Sequence, residues 1–203
     1  MGTDIHGFFQ KYENNQWVDI TSQYDERRDY YLFSALANQR EHQKLVANFI
    51  AEPRGLPEGI MLDEDYCYKT DSMALWLSKV DPKFAETEEF LKFWMGDHSR
   101  SWLSDDEMLE WYSSPQLNIV DGLITTQEYP SWDRTSTPFF DYKFFTSGST
   151  ILTEEEFQFG KKGDYIRIYW QQDIREYLAY FFDEVIRLKK LHGKIRFIFG
   201  FDS

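Results

Sequence analysis

Cysteine is nearly absent from this chain. Cys67 is the only one in 203 residues, so no intrachain disulfide can staple the fold. That points to a reducing, cytosolic setting, with Cys67, set between two tyrosines, read as a small structural residue. Long apolar runs are missing as well. Mean hydropathy is -0.59, and no stretch approaches the length that spans a bilayer. The first residues lack the basic segment and apolar core of a secretory signal, and His6 stands where a myristoylation signal needs Ser or Thr. The expectation is a cytoplasmic protein without membrane contact. Cationic side chains are in the minority: 22 Lys and Arg face 35 Asp and Glu, for a net charge of -13. Non-specific nucleic-acid affinity is mainly phosphate neutralisation, so this balance argues against a general DNA or RNA binder. It fits a solvated acidic surface, an enzyme with a local basic or metal-bearing pocket, or a protein that docks on a basic partner. There is no Gly-x-Ser-x-Gly elbow, and Ser147-Gly148-Ser149-Thr150 lacks the lysine of a phosphate loop. His42 and His192 have no His or Cys partner at zinc-like spacing. Repeats and low-complexity tracts are absent.

What the chain does have is aromatic side chains, 19% of all residues, enough apolar area for a proper core in one domain over 1–203. The elements read as follows. Strand 4–12 forms a hairpin with Gln16–Ile20 across Asn14-Asn15. Asp29 caps a helix to about Arg40, and Glu41–Ala51 reads as a second helical piece. A loop rich in Pro and Gly follows at Glu52–Gly59. Thr70–Val80 and Lys83–Met95 read as short helices, stopped by Gly96, and Asp97–Leu103 as a polar loop or short strand. Ser104 with Glu107 is a capping box that opens a helix over Asp105–Ser113. Ser114–Thr150 is expected to be loop-rich and aromatic, with one strand near Asp141–Thr146. The last third gives a strand over Asp164–Trp170, a long amphipathic helix from a cap at Asp173 to about Leu191, Gly193 at its end, and a final strand over Lys194–Phe201. Together these predict an α+β fold. An antiparallel or mixed sheet would contain the first and last strands, with helices packed mainly on one face.

The chemistry is concentrated in two pairs. Alternation along the first strand puts Asp4 and His6 on one face, with Phe8, Gln10 and Tyr12. A carboxylate and an imidazole at this spacing suit metal ligation or proton transfer; the plainer reading is a hydrogen-bonded strand edge. Asp97 and His98 form the second pair, in a run with Ser99, Arg100 and Ser101 between Gly96 and Trp102. Backbone N–H groups just before a helix favour anions there; the plainer reading is a solvated turn. Arg54, stiffened by Pro53 and Pro57, has a fork suited to phosphate or carboxylate, although an acid is the more economical partner in so acidic a chain. Arg28-Asp29 reads as an ion pair and a cap, or as a site wall.

Several islands also resemble an uncharacterised bacteriophage and prophage protein family that begins Met-Gly-Cys-Asp-Ile-His. They are Met1-Gly2-Thr3-Asp4-Ile5-His6, Arg28-Asp29-Tyr30 with Leu32-Phe33 and Leu36-Ala37, and Pro53-Arg54-Gly55-Leu56-Pro57. The others are His98-Ser99 with Ser101-Trp102-Leu103, and Arg196-Phe197-Ile198-Phe199-Gly200-Phe201-Asp202. Two positions depart from the family pattern. Thr3 replaces the usual cysteine, and Arg100 replaces the second histidine of a frequent His-Ser-His-Ser. The resemblance implies a phage context and one site built from Asp4, His6, Arg54 and His98; it supplies no established activity.

The resulting expectation is a phage-encoded accessory protein in the bacterial cytoplasm. It would be a metal-dependent hydrolase acting on a phosphate-containing small molecule or nucleotide. Asp4, His6, Asp97 and His98 would hold a divalent ion (Zn, Mn, Ni or Fe), with His6, His98 and Asp97 catalytic. Arg54, Arg28, Ser99 and Arg100 would contact substrate. The alternative is a non-enzymatic phage protein that sequesters a nucleotide or blocks a host protein through its acidic surface.

Overall fold

The computed structural model describes residues 2–24, 26–39, 45–70, 92–138 and 148–202. They form two compact units, one of Met1–Pro115 with Arg175–Ser203 and one of Gln116–Ile174.

The first unit is built on a four-stranded antiparallel sheet. Strand β1 (Asp4–Glu13) turns through Asn14 and Asn15, both at positive φ, into β2 (Gln16–Ile20). Paired asparagines adopt this left-handed geometry cheaply, which is why the hairpin closes there. The sheet order is β2, β1, β9 (Ile195–Asp202), β5 (His98–Ser104), so the first and last strands lie side by side at its centre. Asp4 pairs with Asp202 and Lys11 with Ile195.

Helices α1 (Tyr30–Ala37), α2 (Asp105–Ser113) and α4 (Arg175–His192) belong to the same unit. Asp29 caps α1 by accepting from the Tyr31 and Leu32 amides, and Ser104 with Glu107 forms the expected box on α2. Gly193, at φ +78, ends α4 with its N–H on Lys189 O. Phe9, Phe197 and Tyr24 surround Phe181 of α4, and Phe201 meets Phe33 of α1. These rings are buried, each contributing about 1.5–3 kcal/mol by leaving water. The helices thus cover the face that carries the odd-numbered residues of β1. The other face carries Phe8 and Ile198, which pack with Ile60, Phe93 and Met95. Phe93 belongs to the small antiparallel pair β3 (Cys67–Lys69) and β4 (Lys92–Trp94).

The second unit holds β6 (Leu117–Thr125), a 3-10 turn (Tyr129–Ser131), β7 (Ile151–Thr153), α3 (Glu154–Gln158) and β8 (Tyr165–Asp173). β8 pairs antiparallel with β6 and parallel with β7. Val120, Ile124, Tyr129, Leu152, Ile166, Ile168 and Trp170 form its core. Its two ends meet: Ile174 N–H donates to Gln116 O at 3.0 Å, and Gln116 N–H to Asp173 Oδ1 at 3.2 Å.

Three expectations change. Residues 45–51 form no helix. The Ile50 amide goes to Ala35 O and Asn48 O accepts from the Trp111 indole, so backbone groups that a helix would use are engaged elsewhere. Lys92–Trp94 is strand rather than the end of a helix. The stretch after Ser114 carries the nine-residue strand β6. The expected helical stretches at 41–44, 71–80 and 83–91 and the strand at 141–146 lie outside the described residues.

Candidate functional site

At one end of the central sheet, β1 and β9 bring Asp4, His6 and Asp202 together on the face away from the helices. The pairing dictates this: Asp4 opposes Asp202 and His6 opposes Gly200, and directly opposed residues share a face. The Asp4 amide donates to Asp202 Oδ1 at 3.0 Å. The Asp4 carboxylate accepts Arg28 Nε at 2.7 Å and Nη2 at 2.6 Å, a bidentate pair. Those Arg28 hydrogen bonds hold the Asp4 carboxyl below the usual carboxylate range. Gly2 makes room for the guanidinium, since a Cβ there would stand 2.3 Å from Arg28 Nη1.

His6 lies against Trp94, with ring centroids 4.6 Å apart, and its Nε2 is 3.7 Å from Asp202 Oδ2. That spacing is electrostatic contact rather than a hydrogen bond. Nε2 is buried and has no hydrogen-bond partner among the described residues, so Nδ1 is the ring nitrogen left to meet water or a ligand. Asp202, fixed through the Asp4 amide, thus places a negative charge near one side of the imidazole.

The second pair sits on the other face. His98 opposes Phe201 on β9 and lies over its ring at 6.2 Å, on the side where Phe201 meets Phe33. Its Nδ1 is 3.0 Å from Ser99 Oγ and its Nε2 3.9 Å from Asp97 Oδ1. Gly96, at φ +69, allows the turn that delivers this pair: a Cβ there would lie 2.3 Å from Phe201 O, while the next amide, Asp97 N–H, donates to that oxygen at 2.8 Å. A bulge follows, with Ser99 at φ +49, and returns Arg100 to the His6 face beside Gly200. Arg100 donates to Gly96 O and stacks on Tyr66 at 4.5 Å.

The structure therefore does not gather Asp4, His6, Asp97 and His98 into one cluster. Both Asp4 oxygens are occupied by Arg28, and β9 separates His6 from His98. Among the described residues no group of three or more His, Cys, Asp or Glu is arranged to hold a metal ion. Arg54 sits apart as well, 2.7 Å from Glu107 and over Trp102 at 4.5 Å, with its amide on Ser101 Oγ. The residue that sequence reasoning missed is Asp202. Its only signal is that it is the last polar residue of the last strand.

No family model, curated protein or solved structure matches the chain.

Proposed function

We propose that this is a hydrolase-like accessory protein of phage type acting on a phosphate-containing small molecule or nucleotide at the β1–β9 end, with His6 as its proton-transfer group. The observation that carries the reading is the His6–Asp202 ion-pair contact, with the buried Nε2 3.7 Å from the carboxylate. An imidazole held in such a pocket is the commonest general acid–base group in proteins. Arg28, half-exposed and bonded to Asp4, supplies a fixed cation at the same end of the sheet for an anionic substrate. No step is assigned to a metal, because the donor set expected to hold one is divided between the faces of the sheet.

The test is turnover of a nucleotide and phosphoester panel by wild type, His6→Ala, Asp202→Asn and His98→Ala. Loss of about 10²-fold or more in His6→Ala is expected, the usual size of a general acid–base contribution, with a smaller loss in Asp202→Asn and wild-type rates in His98→Ala. Unchanged turnover in His6→Ala would overturn the proposal. A binding-only version is favoured by Trp94, 39% exposed beside His6. An indole so placed stacks a base, and a sequestered nucleotide would then be recovered chemically unchanged.

A further inference from the structure

The opposite end of the same sheet face carries a buried cation with an incomplete set of partners. Arg196 on β9 is 5% exposed. Its Nε and Nη2 both donate to Gln10 Oε1, at 2.8 and 2.6 Å. Gln10 passes the contact on: its Nε2 donates to Asp19 Oδ1 at 2.7 Å. Thr70 Oγ1 also donates to Asp19, and both Asp19 oxygens lie 3.4 Å from the Tyr68 hydroxyl. The guanidinium lies over Trp17 at 4.2 Å and near Trp102 at 6.0 Å. Lys194, exposed, sits at the rim over the Tyr12 and Trp17 rings.

Two features of this arrangement call for a ligand. A guanidinium removed from water costs several kcal/mol unless a charge of opposite sign and full hydrogen bonding offset the loss. Here the direct partner is a neutral amide oxygen, and no carboxylate among the described residues is within ion-pair distance. Burial accordingly pushes the Arg196 pKa down to about 10, while Tyr68 and Asp19 pull it up. The second feature is Nη1, which has no hydrogen-bond partner among the described residues. It is also not among the buried unpartnered atoms, so it keeps some contact with solvent while the guanidinium lies over Trp17. Gln10 acts as a spacer. It keeps Asp19 close enough to favour the charged guanidinium and too far to saturate it. The nearby acid Glu107 is already engaged by Arg54 and by Ser104.

We propose that Arg196 anchors an oxyanion-binding site in which a carboxylate or phosphate group of a small molecule docks on Nη1 between Trp17 and Trp102, with Lys194 at the rim. The site is separate from the His6 site, since Gln10 lies four residues along β1, roughly 13 Å at the rise of a strand. Arginine with flanking indoles suits this role, because its planar fork meets a planar or tetrahedral oxyanion while its faces stay stacked.

The test uses the full chain at constant ionic strength, titrated separately with inorganic phosphate and with acetate and followed by tryptophan fluorescence and calorimetry. Saturable binding of at least one anion is expected; which of the two saturates identifies the source group. Arg196→Lys should weaken it by about tenfold or more, the loss of a charge-assisted bond at a planar site. Lys194→Ala, exposed and harmless to folding, should weaken it roughly threefold. His6→Ala should bind as wild type does, which separates this site from the proposed catalytic one. Absence of saturation with both anions would overturn the proposal, as would wild-type affinity in both folded cationic variants.

Discussion

Burial alone would raise the Glu184 carboxyl, yet hydrogen bonds from Arg187 and from the Gln23 amide outweigh it and leave the group below its ordinary 4.5. A carboxyl lowered in the folded state adds stability that is fully present above its unfolded pKa and is lost as pH falls through the folded value. Glu184→Gln should therefore cost about 1–3 kcal/mol at pH 7. The gap between urea melts of the two proteins should begin to narrow as pH falls past the ordinary carboxyl value and close only below the lower folded-state value. The same scale shows how far single residues were readable. Asp4 and His6 share a face because strand alternation is strict, and the sequence suffices to say so. That Asp29 caps is equally local, whereas the ion pair expected of Arg28 is made with Asp4, 24 positions away. Asp202 is different: its hydrogen bond with Asp4 spans 198 positions, and no local pattern reports a partner that distant. Nor could spacing reveal that one bulge turns His98 and Arg100 to opposite faces.

Element boundaries follow the same division between local and distant causes. Helix α2 matches its expected limits because a capping box is a self-contained signal: Ser104 Oγ accepts the Glu107 amide, and Glu107 returns to the Ser104 amide at 2.9 Å. Ser104→Ala should lower thermal stability by about 1 kcal/mol, and the Arg54 loop should loosen with it, because Glu107 also holds Arg54. Amide exchange over 53–59 would read that loosening. Strand β6 was not readable because its buried side is thin. Val120 and Ile124 point inward, but the position between them is Gly122, where the Trp170 ring fills the space of a side chain. Residues 45–51 have helical apolar spacing, yet their amides and carbonyls serve α1 and α2.

At the scale of the whole chain, the α+β class followed from strands at both ends and amphipathic helices between them. What the sequence did not indicate is that β9 is central, flanked by β1 and β5. Every residue from Ile195 to Phe201 is buried, and Phe197 touches Phe9, Tyr24, Phe181 and Phe199. Phe197→Ala should cost about 3–5 kcal/mol, enough to remove much of the margin of an ordinary domain. Circular dichroism melts would measure it, and a loss below about 1 kcal/mol would show that the sheet centre repacks.

The closed ends of the Gln116–Ile174 unit bear on how such a chain can change. Because Gln116 and Ile174 are hydrogen-bonded neighbours, the whole span leaves and rejoins the chain at one point. It has the geometry of a cassette. A short turn from Pro115 to Arg175 would replace it without rethreading a strand of the central sheet, so recombination can trade that block while the sheet that holds His6 and Arg196 stays as it is.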